Sequence, residues 1–397
     1  MNEILTMAEA IAPRLAELYH DFHRHPELSA HEYETAERVL SVLKEIEGME
    51  ITKGVAGTGV VALLHGKKGP GKTVLLRADM DALPIEEQSG VPFASEYPGV
   101  MHACGHDGHT TWLLGAALLL GQMRDRFSGT VKFVFQPDEE DASGAKRMVL
   151  EEKVLENPKA DAVFAAHAWP SVEAGQIAIA EKYAFGMHGV FSIRITGKGG
   201  HGSSPHLCVD PIAVAHQIYG ALQQVVSRKV DEMEPRVLSV GSIHAGPEER
   251  GNIIPDTCIM RGTIRGLKKE VMEQMLREIR SLSCGIAKLN GASCLVEGSY
   301  DPAVENDAAT TALCLRAAQE VLGEENAYIL HKANLAGEDF AEFTSRVPGT
   351  YFYVGIANDE TRGKFGLHSP LFKLDESVLH KTAAVFAQLA LQYLNED

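Results

Sequence analysis

Helix-like and strand-like patterns alternate along most of this chain, and one internal stretch of about a hundred residues breaks the alternation. That break constrains the fold more than any other feature. Before it, Leu5, Ala8, Ala12, Leu15, Leu18, Tyr19 and Phe22 recur at helical spacing, and Pro26 stops the helix. A second helix is expected over 32–47. The β-rich runs GVVALLHG (59–66) and KTVLLRADM (72–80) follow, joined by a Gly/Pro/Lys turn. A helix fits 109–124, a buried strand 130–136, a helix 143–156 and a strand 161–169. Such alternation implies an α/β sheet with its sites at strand ends. Beyond Tyr183 the order changes to strand 189–197, helix 210–226, strands 236–246 and 256–267, helix 269–289 and strand 292–297. This is the ferredoxin-like split βαβ arrangement. After Tyr300 the first style resumes with a helix at 310–322, a strand at 349–356 and a closing helix at 375–395. The expected fold is therefore α/β. A mixed-sheet domain with helices on both faces (1–184 and 299–397) carries an inserted α+β domain (185–298).

Composition narrows the partners. The 397 residues carry a formal net charge of −17. Nucleic acid and anionic membrane both demand clustered Lys and Arg, so neither is expected as a partner. The six cysteines, at 104, 208, 258, 284, 294 and 314, include no CxxC pair. In so long a chain they suggest a reducing compartment rather than a disulfide framework. The first residues have no basic region before an apolar run, and the longest apolar stretch, Trp112 to Leu120, is too short to span a bilayer. A cytoplasmic location is expected.

The chemistry concentrates in MHACGHDGH (101–109). Cys104, His106, Asp107 and His109 can all bind or support a metal ion. Cys104 and His106 stand two residues apart, which on an extended segment points both towards one ion. Thiolate and imidazole together favour a transition metal over magnesium or calcium. Glu139 and Glu140 follow a strand, so one could ligate while the other faces water. His167 ends another strand and His368 lies in GLHSP; alone, each is ambiguous between a ligand and an ordinary histidine. Asp79 and Asp81, in RADMDALP, read either as turn chemistry or as carboxylates that orient a ligand histidine.

The motifs HRHPELS (23–29), RADMDALP (77–84), MHACGHDGH (101–109), FQPDEE (135–140), HAWP (167–170), GKGGHGSSPH (197–206), NIIPD (252–256), EDF (338–340) and LHSP (367–370) occur in order over nearly the whole chain. In them the chain resembles the metal-dependent aminoacylases and amidohydrolases, a family within the dinuclear carboxypeptidase clan that includes hippurate hydrolases, N-acetyl-amino-acid deacetylases and auxin-conjugate hydrolases. The resemblance implies two divalent ions, manganese or zinc, with cobalt or nickel as further candidates. It implies Cys104 as a bridging ligand, with His106, Glu140, His167 and His368 as further ligands and Glu139 as general base. It implies that His201, in the inserted lid, reaches the substrate carbonyl, in related enzymes across a dimer interface. Closure of the lid and a homodimer formed through its sheet edge or a helix face follow as expectations. Asn252 and His206 are candidates for substrate contact. Asp138 stands where the family usually has a small residue, and like-charge repulsion from it is expected to raise the proton affinity of Glu139. Arg265 reads either as a partner for a substrate carboxylate or as half of a structural ion pair.

The implied reaction is hydrolysis of the amide bond of N-acyl amino acids or similar conjugates, a small-molecule substrate class. A metallo-dipeptidase or carboxypeptidase on the same fold is the alternative, and the cysteine ligand favours the amidohydrolase branch. A non-catalytic metal-binding protein is a remoter one, disfavoured by the presence of both Glu139 and His201. A rival of another kind is the match of 66–73 to a phosphate-loop pattern. That loop must open a helix, whereas Lys72 leads into a β-branched run.

Overall fold

The computed structural model describes residues 2–396 and divides into two compact units. Of these residues the first comprises 2–184, 304–333 and 338–396; the second comprises 185–303 and 334–337.

The first unit is built on an eight-stranded mixed sheet. In chain order its strands are β1 (Met49–Val55), β2 (Gly59–His65), β3 (Thr73–Asp79), β4 (Thr130–Gln136), β5 (Ala162–Glu173), β6 (Ile177–Ala180), β7 (Ala327–Leu330) and β8 (Gly349–Ala357). Their spatial order is β1-β2-β4-β3-β5-β8-β6-β7. The centre, β4-β3-β5-β8, is parallel, and β1 and β2 run antiparallel beside it. Strands β3, β4 and β8 are buried along their whole length, as expected of parallel strands covered on both faces. One face is covered by the long helices α1 (Glu3–Arg24), α2 (Tyr33–Leu43), α3 (His106–Gly121), α4 (Ala308–Leu322) and α5 (Leu379–Asn395). Helix α3 is apolar almost all round and correspondingly buried, the mark of a central helix.

The second unit pairs its strands in the order Arg236–Ala245, Thr257–Gly266, Met187–Thr196, Ser293–Tyr300, all antiparallel. Helices Pro211–Gln224 and Lys269–Leu289 close its core. Along Met187–Thr196 the residues Met187, Gly189, Phe191, Ile193 and Ile195 point inward in strict alternation. Asp210 caps the first helix by accepting from Ile212 N–H, and Pro211 occupies its first position. The topology is the ferredoxin-like one.

Several local expectations are corrected. Where a helix was expected over 143–156, only Gly144–Lys146 and one wider turn at Arg147–Glu151 form. The buried ammonium of Lys132 takes the carbonyls of Val154, Glu156 and Pro158, which a continuing helix would engage in its own ladder. Strand β5 runs on to Glu173, so His167 lies in mid-strand rather than at its end. Gly105 adopts a left-handed φ of 90°, and His106 is the first residue of α3, so Cys104 and His106 do not share an extended segment. The segment 66–73 leads into β3 and opens no helix; Lys72 Nζ bonds Glu396 O at 2.7 Å. No helix among the described residues is long and apolar enough to cross a membrane.

Candidate metal centre

The end of β3, the turn after β4, the middle of β5 and the start of α3 bring the chemistry of the first unit together. Cys104 Sγ lies 3.4 Å from His167 Nε2. The other ring nitrogen of His167 donates to Ala168 O at 2.8 Å, which leaves the Nε2 lone pair facing the thiol. His106 Nδ1 donates to Asp81 Oδ1 at 3.1 Å. His106 Nε2 is then buried with no hydrogen-bond partner, and so is Glu140 Oε1, 3.9 Å away. His368 Nε2 is 3.3 Å from the same Glu140 oxygen. His368 itself has a left-handed φ of 61° and is fixed by its N–H to Ala103 O. Two triads result, Cys104–His106–His167 and Cys104–Glu140–His368, each with donor atoms within 4.8 Å of one another. They share Cys104.

Charge decides what such a cluster can hold. The buried carboxylates of Asp79 and Asp81, with Glu140, outweigh the burial cost on His106 and push its pKa up to about 10. Burial, reinforced by Glu140, Glu139 and Asp79, pushes the Cys104 thiol far up. A site that clings to protons in this way lacks positive charge, and orphaned polar atoms should not persist in a buried site. Thiol, imidazole and carboxylate donors with two unpartnered buried atoms, His106 Nε2 and Glu140 Oε1, fit transition-metal cations well.

Asp81 spans the site, with Oδ1 on His106 and Oδ2 accepting from Ser29 Oγ (2.8 Å) and Glu140 N–H (3.0 Å). Asp79 takes His109 Nδ1–H at 2.5 Å and Arg77 Nη1 at 2.6 Å. His109 Nε2 accepts from Ala168 N–H, and Asp107 bonds His23 Nδ1 at 2.6 Å. Both nitrogens of His109 are thus committed, and Asp107 faces a buried pair with His23 instead of the cluster.

Glu139 is half-buried beside these groups. Burial first, then the charges of Glu338, Asp339, Glu140 and Asp81, hold its carboxyl well above the usual range. Asp138 is not among the leading causes, which corrects the expectation from sequence. Its carboxylate is engaged by Arg147 Nη2 at 3.0 Å and by Ser143 Oγ. Glu338 and Asp339 are the neighbours that sequence reasoning passed over. They close a buried network in which Arg77 bonds both and Gln136 Nε2 bonds Asp339. The EDF motif was the available signal, but it named no partner.

In the second unit, the ribbon Gly200–His201 pairs with Ile253–Ile254, so His201 lies next to Asn252, whose carbonyl accepts Gly202 N–H at 2.8 Å. Ser203 N–H donates to His201 Nδ1 at 3.1 Å, which leaves the ring proton on the exposed Nε2. His206 is exposed in the short turn Pro205–Leu207. Arg265 donates to Thr263 Oγ1 and Ile264 O within its own strand.

Fold and donor set together define a metal-dependent amidohydrolase. Residues 75–392 match the sequence profile of Peptidase family M20/M25/M40, and the chain belongs to that family. It is 39% identical over 387 residues to the N-acetylcysteine deacetylase of Bacillus subtilis, covering 96% of this chain and 97% of that one. It is 38% identical over 379 residues to thermostable carboxypeptidase 1 of Saccharolobus solfataricus, 94% of each chain. Among solved structures it resembles a dinuclear metal binding peptidase of the M20 family from Bacillus subtilis, with a TM-score of 0.81, 36% identity and coverage of 97% and 99%.

Proposed function

We propose that this hydrolase cleaves the amide bond of N-acyl amino acids or similar conjugates, releasing a carboxylic acid and an amino acid. The observation that carries the reading is the pair of triads sharing Cys104, with Glu139 at their edge. Cys104 as bridge, with His106, Glu140, His167 and His368, would hold two divalent ions, with zinc and manganese foremost and cobalt or nickel possible alternatives. Such ions, when bound, acidify water and polarise an amide carbonyl.

The residues supply the rest. Glu139 accepts a proton from the attacking water and passes it to the leaving nitrogen, because an amine anion cannot leave. Its raised proton affinity suits a group that must do both. The proton on His201 Nε2 is a donor for the carbonyl oxygen as negative charge builds there. Asp81 fixes the His106 ring and the Glu140 backbone at once.

A peptidase reading is kept because the likeness to a carboxypeptidase is as extensive as that to a deacetylase. The test is a panel of N-acetyl and N-benzoyl amino acids and dipeptides on enzyme reconstituted separately with zinc, manganese and cobalt. N-acyl preference supports the proposal; preference for dipeptides transfers it to the peptidase reading.

We also propose self-association through the second unit. Its edge strand Arg236–Ala245 exposes Val237 and Ile243, and helix Pro211–Gln224 exposes Ile212 and Tyr219. Sedimentation of Ile243→Asp against the parent tests this. The six cysteines, all free, support a cytoplasmic setting.

A further inference from the structure

The turn that carries Glu139 and Glu140 is held in an unfavourable backbone shape. Asp138 has φ 61°, the left-handed region that residues with a side chain rarely adopt. Gly144 closes the turn so tightly that a Cβ there would lie 1.7 Å from Pro137 O. Something must hold Asp138 where it is. Its own side chain is tied to Ser143 and Arg147, and its N–H donates to Glu32 Oε1 at 2.9 Å.

Glu32 is far from Asp138 in sequence and lies immediately before α2. It is completely buried, and among the described residues its oxygens meet N–H and O–H donors rather than a cation. The same Oε1 also accepts from Ala30 N–H at 2.9 Å, and Ala30 has φ 63°. Its second oxygen accepts from Thr58 Oγ1 at 2.5 Å. One carboxylate oxygen therefore accepts the N–H groups of two left-handed residues, Ala30 and Asp138, from segments far apart in the chain.

We propose that Glu32 is a positioning residue for amide hydrolysis: it locks the left-handed Asp138 backbone and thereby sets the direction in which Glu139 points. This rests on the reading of Glu139 as the base. Among the described residues Glu32 makes no hydrogen bond to the donor cluster or to Glu139; it reaches Glu139 through the turn, and its bond to Ala30 leaves the neighbouring Ser29–Asp81 contact as a separate route that unchanged metal content tests. Displacing a catalytic group by about 1 Å costs on the order of a hundredfold in rate, so the lock has a kinetic signature.

Two conservative variants separate geometry from charge. Glu32→Asp keeps the charge but withdraws the carboxylate by about 1.5 Å, one carbon–carbon bond. Glu32→Gln loses the charge but keeps a carbonyl oxygen able to accept both N–H groups, with its amide facing the Thr58 hydroxyl. The expected result is kcat lowered about tenfold to a hundredfold in Glu32→Asp, with KM and metal content unchanged, and kcat near the parent in Glu32→Gln. Parent-like kcat in Glu32→Asp overturns the proposal, and so does equal impairment of both variants. If Glu32→Asp does not fold, Thr58→Val serves: lowered kcat at an unchanged melting temperature supports the lock, and parent kcat removes it. Glu139→Gln is measured alongside. If it turns over at the parent rate, the base assignment itself has failed; if it is inactive while Glu32→Asp keeps the parent kcat, only the positioning role has.

Discussion

Arg77 Nη2 lies 2.9 Å from Asp339 Oδ1, and both side chains are closed off from solvent. The same guanidinium also meets Asp79 and Glu338. Removing it deprives three buried acidic side chains of the guanidinium they share. Arg77→Met should therefore destabilise the protein by about 3–5 kcal/mol, read by urea unfolding of the metal-loaded enzyme. Arg77→Lys should rescue little, since one ammonium cannot reproduce the planar fork. Stability within error of the parent would show that the network is not structural.

Cys104 belongs to both triads, so its loss should be felt at both ion positions. Cys104→Ala is expected to lose bound metal, measured by elemental analysis after dialysis. Full metal content in that variant would remove Cys104 from the ligand set.

Glu139→Gln preserves size and removes the base. It should keep its metal and lose roughly 10²–10⁴ in kcat. A variant that hydrolyses amides at near-parent rate would exclude Glu139 as the proton carrier.

How much of this could be read from the residues alone depends on range. MHACGHDGH and FQPDEE marked the cluster because their donors are close in sequence and of metal-binding type. The second unit was legible because its strands alternate cleanly, as Met187–Thr196 does. Strand β1 was not: Lys53 and its exposed neighbours carry no apolar pattern, and pairing with β2 makes it a strand. The roles of Asp339 and Glu32 were equally hidden. Gln136 and Asp339 are 203 positions apart, and Glu32 and Asp138 are 106 apart. Only the sheet brings such partners together. Asp138 was misread for the same reason, since the nearest charge in sequence is engaged elsewhere by Arg147.

His23 gives a pH signature outside the ligand set. Burial disfavours its charged ring, but hydrogen bonds to Asp107 and Glu87 outweigh that and push its pKa up to about 9. The folded value exceeds the unfolded value of about 6.5, so the stabilisation is complete below pH 6.5 and is lost as pH rises through about 9. Each unit is worth about 1.4 kcal/mol, which makes the pair worth roughly 3 kcal/mol. Urea unfolding of metal-saturated enzyme should show stability falling across that window, and His23→Gln should flatten the fall. A parent with no such slope would mean His23 is not charged in the fold.

The acid limb of the rate profile discriminates between the neighbours of Glu139. Asp339 is among the groups that raise its proton affinity, whereas Asp138 is turned towards Arg147 and Ser143. A base must be unprotonated to accept the proton of water, so kcat/KM falls where Glu139 becomes protonated. Removing a negative neighbour lets Glu139 ionise at lower pH. Asp339→Asn should accordingly move the acid limb to lower pH, and Asp138→Asn should leave it in place. The profiles are compared on enzyme loaded with the same metal, because a change of ion would shift the limb for other reasons. Movement in Asp138→Asn but not in Asp339→Asn would restore the expectation drawn from sequence and reject the buried-network account.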